Sequence, residues 1–192
     1  MIKQNYYEEI IIAGFGGQGI IMLGKLLANA AMIDGLEVTY FPSYGAEVRG
    51  GTANCMVVIS NEPIASPLVT SFDSVVVLNK ASCERFSQRL KPGGLLLYNS
   101  SKIESVTPSV DAEVLAIPSD EIAAELGSPR STNMVAIGAY LQKRGVISLE
   151  TAVKCLEKVL AKRHHGTIPI NEKALYKGAE FAKGLLAGQA VK

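Results

Sequence analysis

The sequence predicts an α/β domain of three layers, with a mostly parallel sheet and a helical C-terminal third. Three observations carry that expectation. Short β-branched runs recur at residues 10–12, 52–59 and 72–79. Stretches with apolar residues every three or four positions follow several of them, and strands alternating with helices are the pattern of a parallel sheet. Glycines also cluster where the first strand gives way to the first helix. At 192 residues and 48% hydrophobic content, the chain can bury one substantial core, so residues 1–192 are expected to form a single domain.

The organising stretch is EIIIAGFGGQGIIMLGKLLAN, residues 9–29. Ile10, Ile11 and Ile12 suit a strand buried on both faces. Gly14, Gly16, Gly17 and Gly19 follow, and a helical pattern begins near Gln18 with Ile21, Leu23, Leu26, Leu27 and Ala30. Strand, glycine turn and helix in that order make a Rossmann-like start. Glycines let main-chain N–H groups approach a ligand, and the first turn of a helix offers unpaired donors and the positive end of its dipole. Gly14, Gly16, Gly17, Gln18 and Gly19 are therefore candidate ligand contacts, although the same glycines would also serve a tight turn and close helix packing.

Residues 36–41 read as a second strand, broken at Pro42. A nicotinamide-binding fold places an Asp or Glu near the end of that strand to hold the ribose hydroxyls. Here the strand ends in Tyr40, Phe41 and Pro42, with Glu37 at its start. A phosphate-binding P-loop is also excluded, because Ile20 and Ile21 stand where Lys and Ser or Thr are required. Next comes PSYGAEVRGGTANCMVVIS, whose first half holds three glycines, Glu47 and Arg49 and is too polar to be core. A permissive loop with one Arg suits a ligand or a partner subunit, so Ser43, Tyr44, Gly45, Arg49 and Gly50 join the candidates. A hairpin with solvated charges is the plainer alternative.

Residues 61–66 have turn chemistry, and residues 67–70 are expected to form a short turn or helix. Residues 72–79 give a buried strand, residues 81–90 a helix, KPGG a turn, and residues 95–98 and 112–117 two further strands. Pro118 stops the last of these, and Ser119 or Asp120 is placed to cap a helix over residues 121–126. Helices follow over residues 133–143, ending at Gly145, from Ser148, and from Asn171. Their apolar faces, including Gly138 and Gly178, are expected to pack on the sheet.

The 19 basic and 18 acidic residues are interspersed, so no footprint for nucleic acid or an anionic membrane is expected. No apolar run approaches the roughly 18 residues of a membrane span, and MIKQNYYEE lacks the apolar core of a signal peptide. Cys55, Cys83 and Cys155 form no CxxC, which argues against disulfides and cysteine-ligated clusters and points to a cytoplasmic setting. Cys55 reads as a small core residue. His164 and His165 look like a helix end rather than a metal site.

Taken together, GFGGQG at residues 14–19 and YGAEVRGGTANCMVVIS at residues 44–60 resemble the gamma subunits of 2-oxoacid:ferredoxin oxidoreductases. The similarity continues through FDSVVVLN, residues 133–138, and Asn171 with Ala174 and Gly178. GAEVRGG most resembles the 2-oxoglutarate branch; the pyruvate, 2-oxoisovalerate and indolepyruvate branches are alternatives, as is a freestanding NAD(P)-binding dehydrogenase. The resemblance implies an assembly that turns a 2-oxoacid and CoA into acyl-CoA and CO2 while reducing ferredoxin, using thiamine diphosphate, Mg and iron–sulfur clusters. It implies partners too: alpha and beta subunits and a ferredoxin-like delta subunit. No thiamine motif or four-cysteine set occurs here, so this chain is expected to hold none of these cofactors and to be noncatalytic by itself. Its two loops are expected to lie together at the carboxyl ends of the strands, closing the site or receiving CoA, while a homodimer of the isolated chain is left open.

Overall fold

The computed structural model describes residues 6–44 and 51–189. Six strands form one sheet in the order β2-β3-β1-β4-β5-β6: β1 (Tyr7–Phe15), β2 (Glu37–Tyr44), β3 (Thr52–Ser60), β4 (Phe72–Val77), β5 (Leu90–Asn99) and β6 (Ala112–Ile117). β1, β4, β5 and β6 pair in parallel, while β3 runs antiparallel to both β1 and β2. The sheet is thus mostly parallel, as expected, with one reversed strand that periodicity does not reveal.

β1 lies between β3 and β4, which explains its unbroken isoleucine run. Successive side chains point to opposite faces: Ile10 and Ile12 enter one apolar layer, Ile11 and Ala13 the other. The first layer is covered by α1 (Ile20–Ile33), α3 (Ser119–Glu125), α4 (Thr132–Arg144), α5 (Leu149–Val159) and α6 (Ile168–Gln189). The second is thinner, closed by α2 (Lys80–Phe86) with Val69 and Ile103 from irregular segments.

Several boundaries differ from the sequence-based expectation for identifiable reasons. β2 runs through Pro42 to Tyr44, because it is an edge strand where a missing N–H is tolerated. KPGG lies inside β5 rather than in a turn: the β4–β5 register shifts between Phe72 and Ser74, and Gly93, at φ 73°, donates to Asp111 O at 2.7 Å. Residues 67–70 take no regular structure. α2 ends at Phe86 and passes into a 3₁₀ turn, Ser87–Arg89.

α3 begins at Ser119 with no side-chain cap of its own. Instead Asn99 Oδ1, at the end of β5, accepts from Ser119 N at 3.1 Å, so a strand residue does the capping. α6 starts three residues before Asn171, with Pro169 in its first turn, where no N–H is required. Ser148 caps α5 as expected, accepting from Thr151 N, and Gly145 ends α4 in a left-handed conformation. No helix among the described residues is long and apolar enough to cross a membrane.

Candidate functional site

The glycine loop is shaped by its own backbone. Gln18 N donates to Phe15 O at 3.1 Å, closing a turn in which Gly17 sits at φ 96°. Gly19 follows at φ 74° as the N-cap of α1, with no side-chain cap. The first intrahelical bond runs from Leu23 N to Gly19 O at 3.0 Å, so the N–H groups of the preceding turn have no helical acceptor. α2 and α5, by contrast, are capped by Asn79 and Ser148.

The Gln18 side chain is held within the loop. Its Oε1 accepts from Phe15 N at 2.6 Å and from Asn79 Nδ2 at 3.3 Å, tying the loop to the end of β4. Gly14 is needed for that brace, because a Cβ there would stand 2.6 Å from Gln18 Oε1 and 2.7 Å from Ile20 Cδ1. Gly16 N donates to Gly51 O at 2.9 Å, and Phe15 pairs with Thr52 and Tyr44 with Ala53. The glycine loop, Ser43, Tyr44 and Gly51 therefore lie at one end of the sheet. Gly45, Arg49 and Gly50 lie outside the described residues.

Two concavities flank this loop. One, of about 420 Å³, is mostly apolar, lined by Phe15, Ile21, Met22, Tyr44 and Val159 with Lys25 its one charged side chain among the described residues. The other, of about 570 Å³, opens beyond the carboxyl ends of β1 and β4 and is lined by Gly17, Gln18, Leu78, Arg130, Thr132 and Asn133, with Asp120 at its edge. Here the chain reverses its winding: β1 leads through α1 on one face towards β2, and β4 leads through α2 on the other face towards β5. Such switch points are where open α/β sheets bind ligands. Arg130 carries no motif, and Asn133 opens the 133–138 stretch of the resemblance; the fold brings both beside the loop.

The family model described as pyruvate ferredoxin/flavodoxin oxidoreductase matches residues 9–181. The chain belongs to this family.

Ketoisovalerate oxidoreductase subunit VorA of Methanothermobacter thermautotrophicus is 36% identical over 182 residues, 94% of this chain. The chain spans only 38% of that relative's length. 2-Oxoglutarate synthase subunit KorC of Methanocaldococcus jannaschii is 36% identical over 181 residues, 93% of this chain and 95% of KorC. Among solved structures, the keto/oxoacid ferredoxin oxidoreductase gamma subunit of Geobacter sulfurreducens PCA matches with TM-score 0.81 and 31% identity, covering 93% of this chain and 98% of that one. A 2-oxoglutarate:ferredoxin oxidoreductase of Magnetococcus marinus, solved with 2-oxoglutarate, coenzyme A and succinyl-CoA bound, matches with TM-score 0.84 and 32% identity, covering 95% of this chain and 32% of that one.

Membership in the pyruvate ferredoxin/flavodoxin oxidoreductase family bears out the resemblance read from the two loops, and a freestanding nicotinamide dehydrogenase is not favoured. The fold adds a physical reason: β3, not β2, is the neighbour of β1, so the end of β2 is not where a ribose-binding acid would be presented. Among the described residues no three His, Cys, Asp or Glu side chains are placed to hold a metal. The three thiols are buried on β3, α2 and α5, and burial raises each, pushing Cys55 up to about 12.

A second polar cluster, at the opposite end of the sheet, left no mark in the motif reading. Glu8 is almost fully buried, yet its carboxylate accepts from Ser74 Oγ at 2.6 Å, Tyr140 OH at 3.0 Å and Tyr6 OH, and it pairs with Arg144 Nε at 2.8 Å. Arg144 also donates to Asp73 O at 2.7 Å. Burial and the Glu8 charge push the Tyr6 and Tyr140 phenols far above their ordinary range, so both remain donors. The cluster joins β1, β4 and α4, and its charges are satisfied internally.

Proposed function

We propose that the chain is an accessory gamma subunit of a multisubunit 2-oxoacid:ferredoxin oxidoreductase, working on 2-oxoglutarate, and that its glycine-loop end faces the catalytic subunits and receives the phosphates or nucleotide of CoA. The observation that carries this reading is the Gly16 N to Gly51 O bond, which ties the glycine loop to the hairpin at one end of the sheet. Thiamine diphosphate with Mg and the iron–sulfur clusters would reside on alpha, beta and delta subunits and supply carbanion chemistry and electron transfer. This chain's part is backbone N–H groups for an anion, Arg49 as the charged contact, and an apolar recess for a neighbouring subunit. In support, a solved relative of the same fold was captured with coenzyme A.

Expressed with its partners, the wild-type complex should form acyl-CoA and reduce ferredoxin, and the isolated chain should do neither. Arg49→Ala and Gly16→Val should weaken CoA binding in complexes that still assemble; unchanged binding would remove the ligand half of the proposal. The preference for 2-oxoglutarate rests on the GAEVRGG wording. VorA matches with the same identity as KorC, so rates measured side by side with 2-oxoglutarate, 2-oxoisovalerate, pyruvate and indolepyruvate decide the branch.

A further inference from the structure

α6 is held tightly on one side and open on the other. Ala174, Leu175, Gly178 and Ala182 are buried, and a Cβ at Gly178 would stand 1.9 Å from Val135 O on α4, so that face has room for nothing else. The face turned away carries Pro169, Lys173, Tyr176 and Glu180, all exposed. Their spacing of four, three and four residues keeps them in one stripe along the helix. Beside the stripe, Ile122 and Leu126 of α3 and Phe181 of α6 are half-buried and floor two hollows of about 460 and 420 Å³. The hollows share Leu126, Lys177 and Glu180, so together they make one groove with an apolar floor and charged rims.

The charges identify what fits the groove. Lys173 has no ion pair or hydrogen bond among the described residues. Glu180 pairs with Lys177 of its own helix at 2.7 Å, an exposed contact of the kind that contributes little. Lys173 and Glu180 are two helical turns apart, about 10 Å along the axis. A second copy laid antiparallel, with the two-fold axis level with residues 176 and 177, therefore sets Lys173 of each chain opposite Glu180 of the other. A parallel copy in register would set like charge against like. We infer that the α6–α3 groove is the contact between two copies of this chain, joined antiparallel by two Lys173–Glu180 ion pairs around a central pair of Tyr176 rings. Such a contact uses one self-complementary patch twice and closes as a dimer. It goes beyond the proposed function, and no residue of the groove lines either recess beside the glycine loop, so both activities fit on one chain.

The test is sedimentation equilibrium of the full-length chain. A stripe this short implies a weak dimer, with a Kd on the order of 10 μM, loosened further as salt rises. Lys173→Glu and Glu180→Lys should each weaken the dimer by roughly tenfold or more, because each sets like charges opposite one another twice. Mixed in equal amounts, the two variants should dimerise with each other almost as tightly as wild type, since every facing pair is then Glu with Lys. Tyr176→Ala should weaken self-association about tenfold. All three positions are exposed, and unchanged thermal midpoints check that the variants are folded.

A wild-type chain that stays monomeric at about 200 μM, well above the expected Kd, overturns the inference. So does a dimer that survives both charge reversals, or a mixture of the two variants that fails to associate. A monomeric chain whose assembly with other subunits is blocked by Tyr176→Ala would also overturn it, by giving the groove to one of those subunits.

Discussion

Gly138 on α4 and Gly178 on α6 are reciprocal: a Cβ on the first would stand 2.0 Å from Leu175 O, and one on the second 1.9 Å from Val135 O. Each glycine meets the carbonyl three residues before the other, so the helices cross backbone to backbone. Since carbonyls cannot swing aside as a flexible side chain can, Gly138→Ala and Gly178→Ala must each push the helices apart. The expected cost is about 3 kcal/mol or more, read as a drop of roughly 10 °C in the thermal midpoint for a chain of this size.

The Glu8 cluster predicts an asymmetry between single and paired substitutions. Arg144→Met leaves a buried carboxylate without its counter-charge and should cost about 3–5 kcal/mol in urea unfolding. Glu8→Gln with Arg144→Met removes both charges and should recover a substantial part of that loss. Equal destabilisation by the single and double variants would show that the pair's charge is not what matters.

Alkaline pH should unfold the protein before ordinary tyrosine and lysine titration would require it. Cys55 is pushed from 9.0 up to about 12 by burial, so between those values the unfolded chain releases a proton that the folded chain retains. With fewer protons bound when unfolded, stability is complete below pH 9 and falls as pH rises, by about a factor of ten in the folding constant per pH unit from this thiol alone. Tyr6 and Tyr140 add to the slope above pH 10, their ordinary value. Urea midpoints at pH 8, 10 and 11 should decline accordingly, and Cys55→Ala should flatten the decline between pH 9 and 10.

What the sequence made legible follows from the range of its signals. Ile10 to Ala13, the α1 stripe and the Gly145 stop are local patterns, and each stands where periodicity or turn chemistry placed it. The antiparallel setting of β3 is a long-range choice that no period of two can express, and Pro42 looked like a terminator because a chain does not announce its edge strands. The same holds at the site. Gly16 and Gly19 could be read from spacing. Arg130 and Asn133, more than a hundred residues later, reach the loop only because the chain enters α4 beside Gly19. Gln18 is legible as part of the loop, but not that its side chain braces Phe15 and Asn79.

Conformational strain and packing separate at two glycines of the loop. Gly17 and Gly19 both have positive φ, at 96° and 74°, so alanine at either should cost about 1–2 kcal/mol from the backbone alone. At Gly17 a Cβ meets nothing within 4 Å, and strain should be the whole effect. At Gly19 the Cβ would strike Asn133 Nδ2 at 2.3 Å, so the asparagine must shift. Gly17→Ala should therefore lower stability only by the backbone cost, read in urea unfolding. Gly19→Ala should lower it further, because Asn133 must give way as well. Identical losses of stability in the two glycine variants would mean that backbone conformation alone, and not the Asn133 contact, sets the cost.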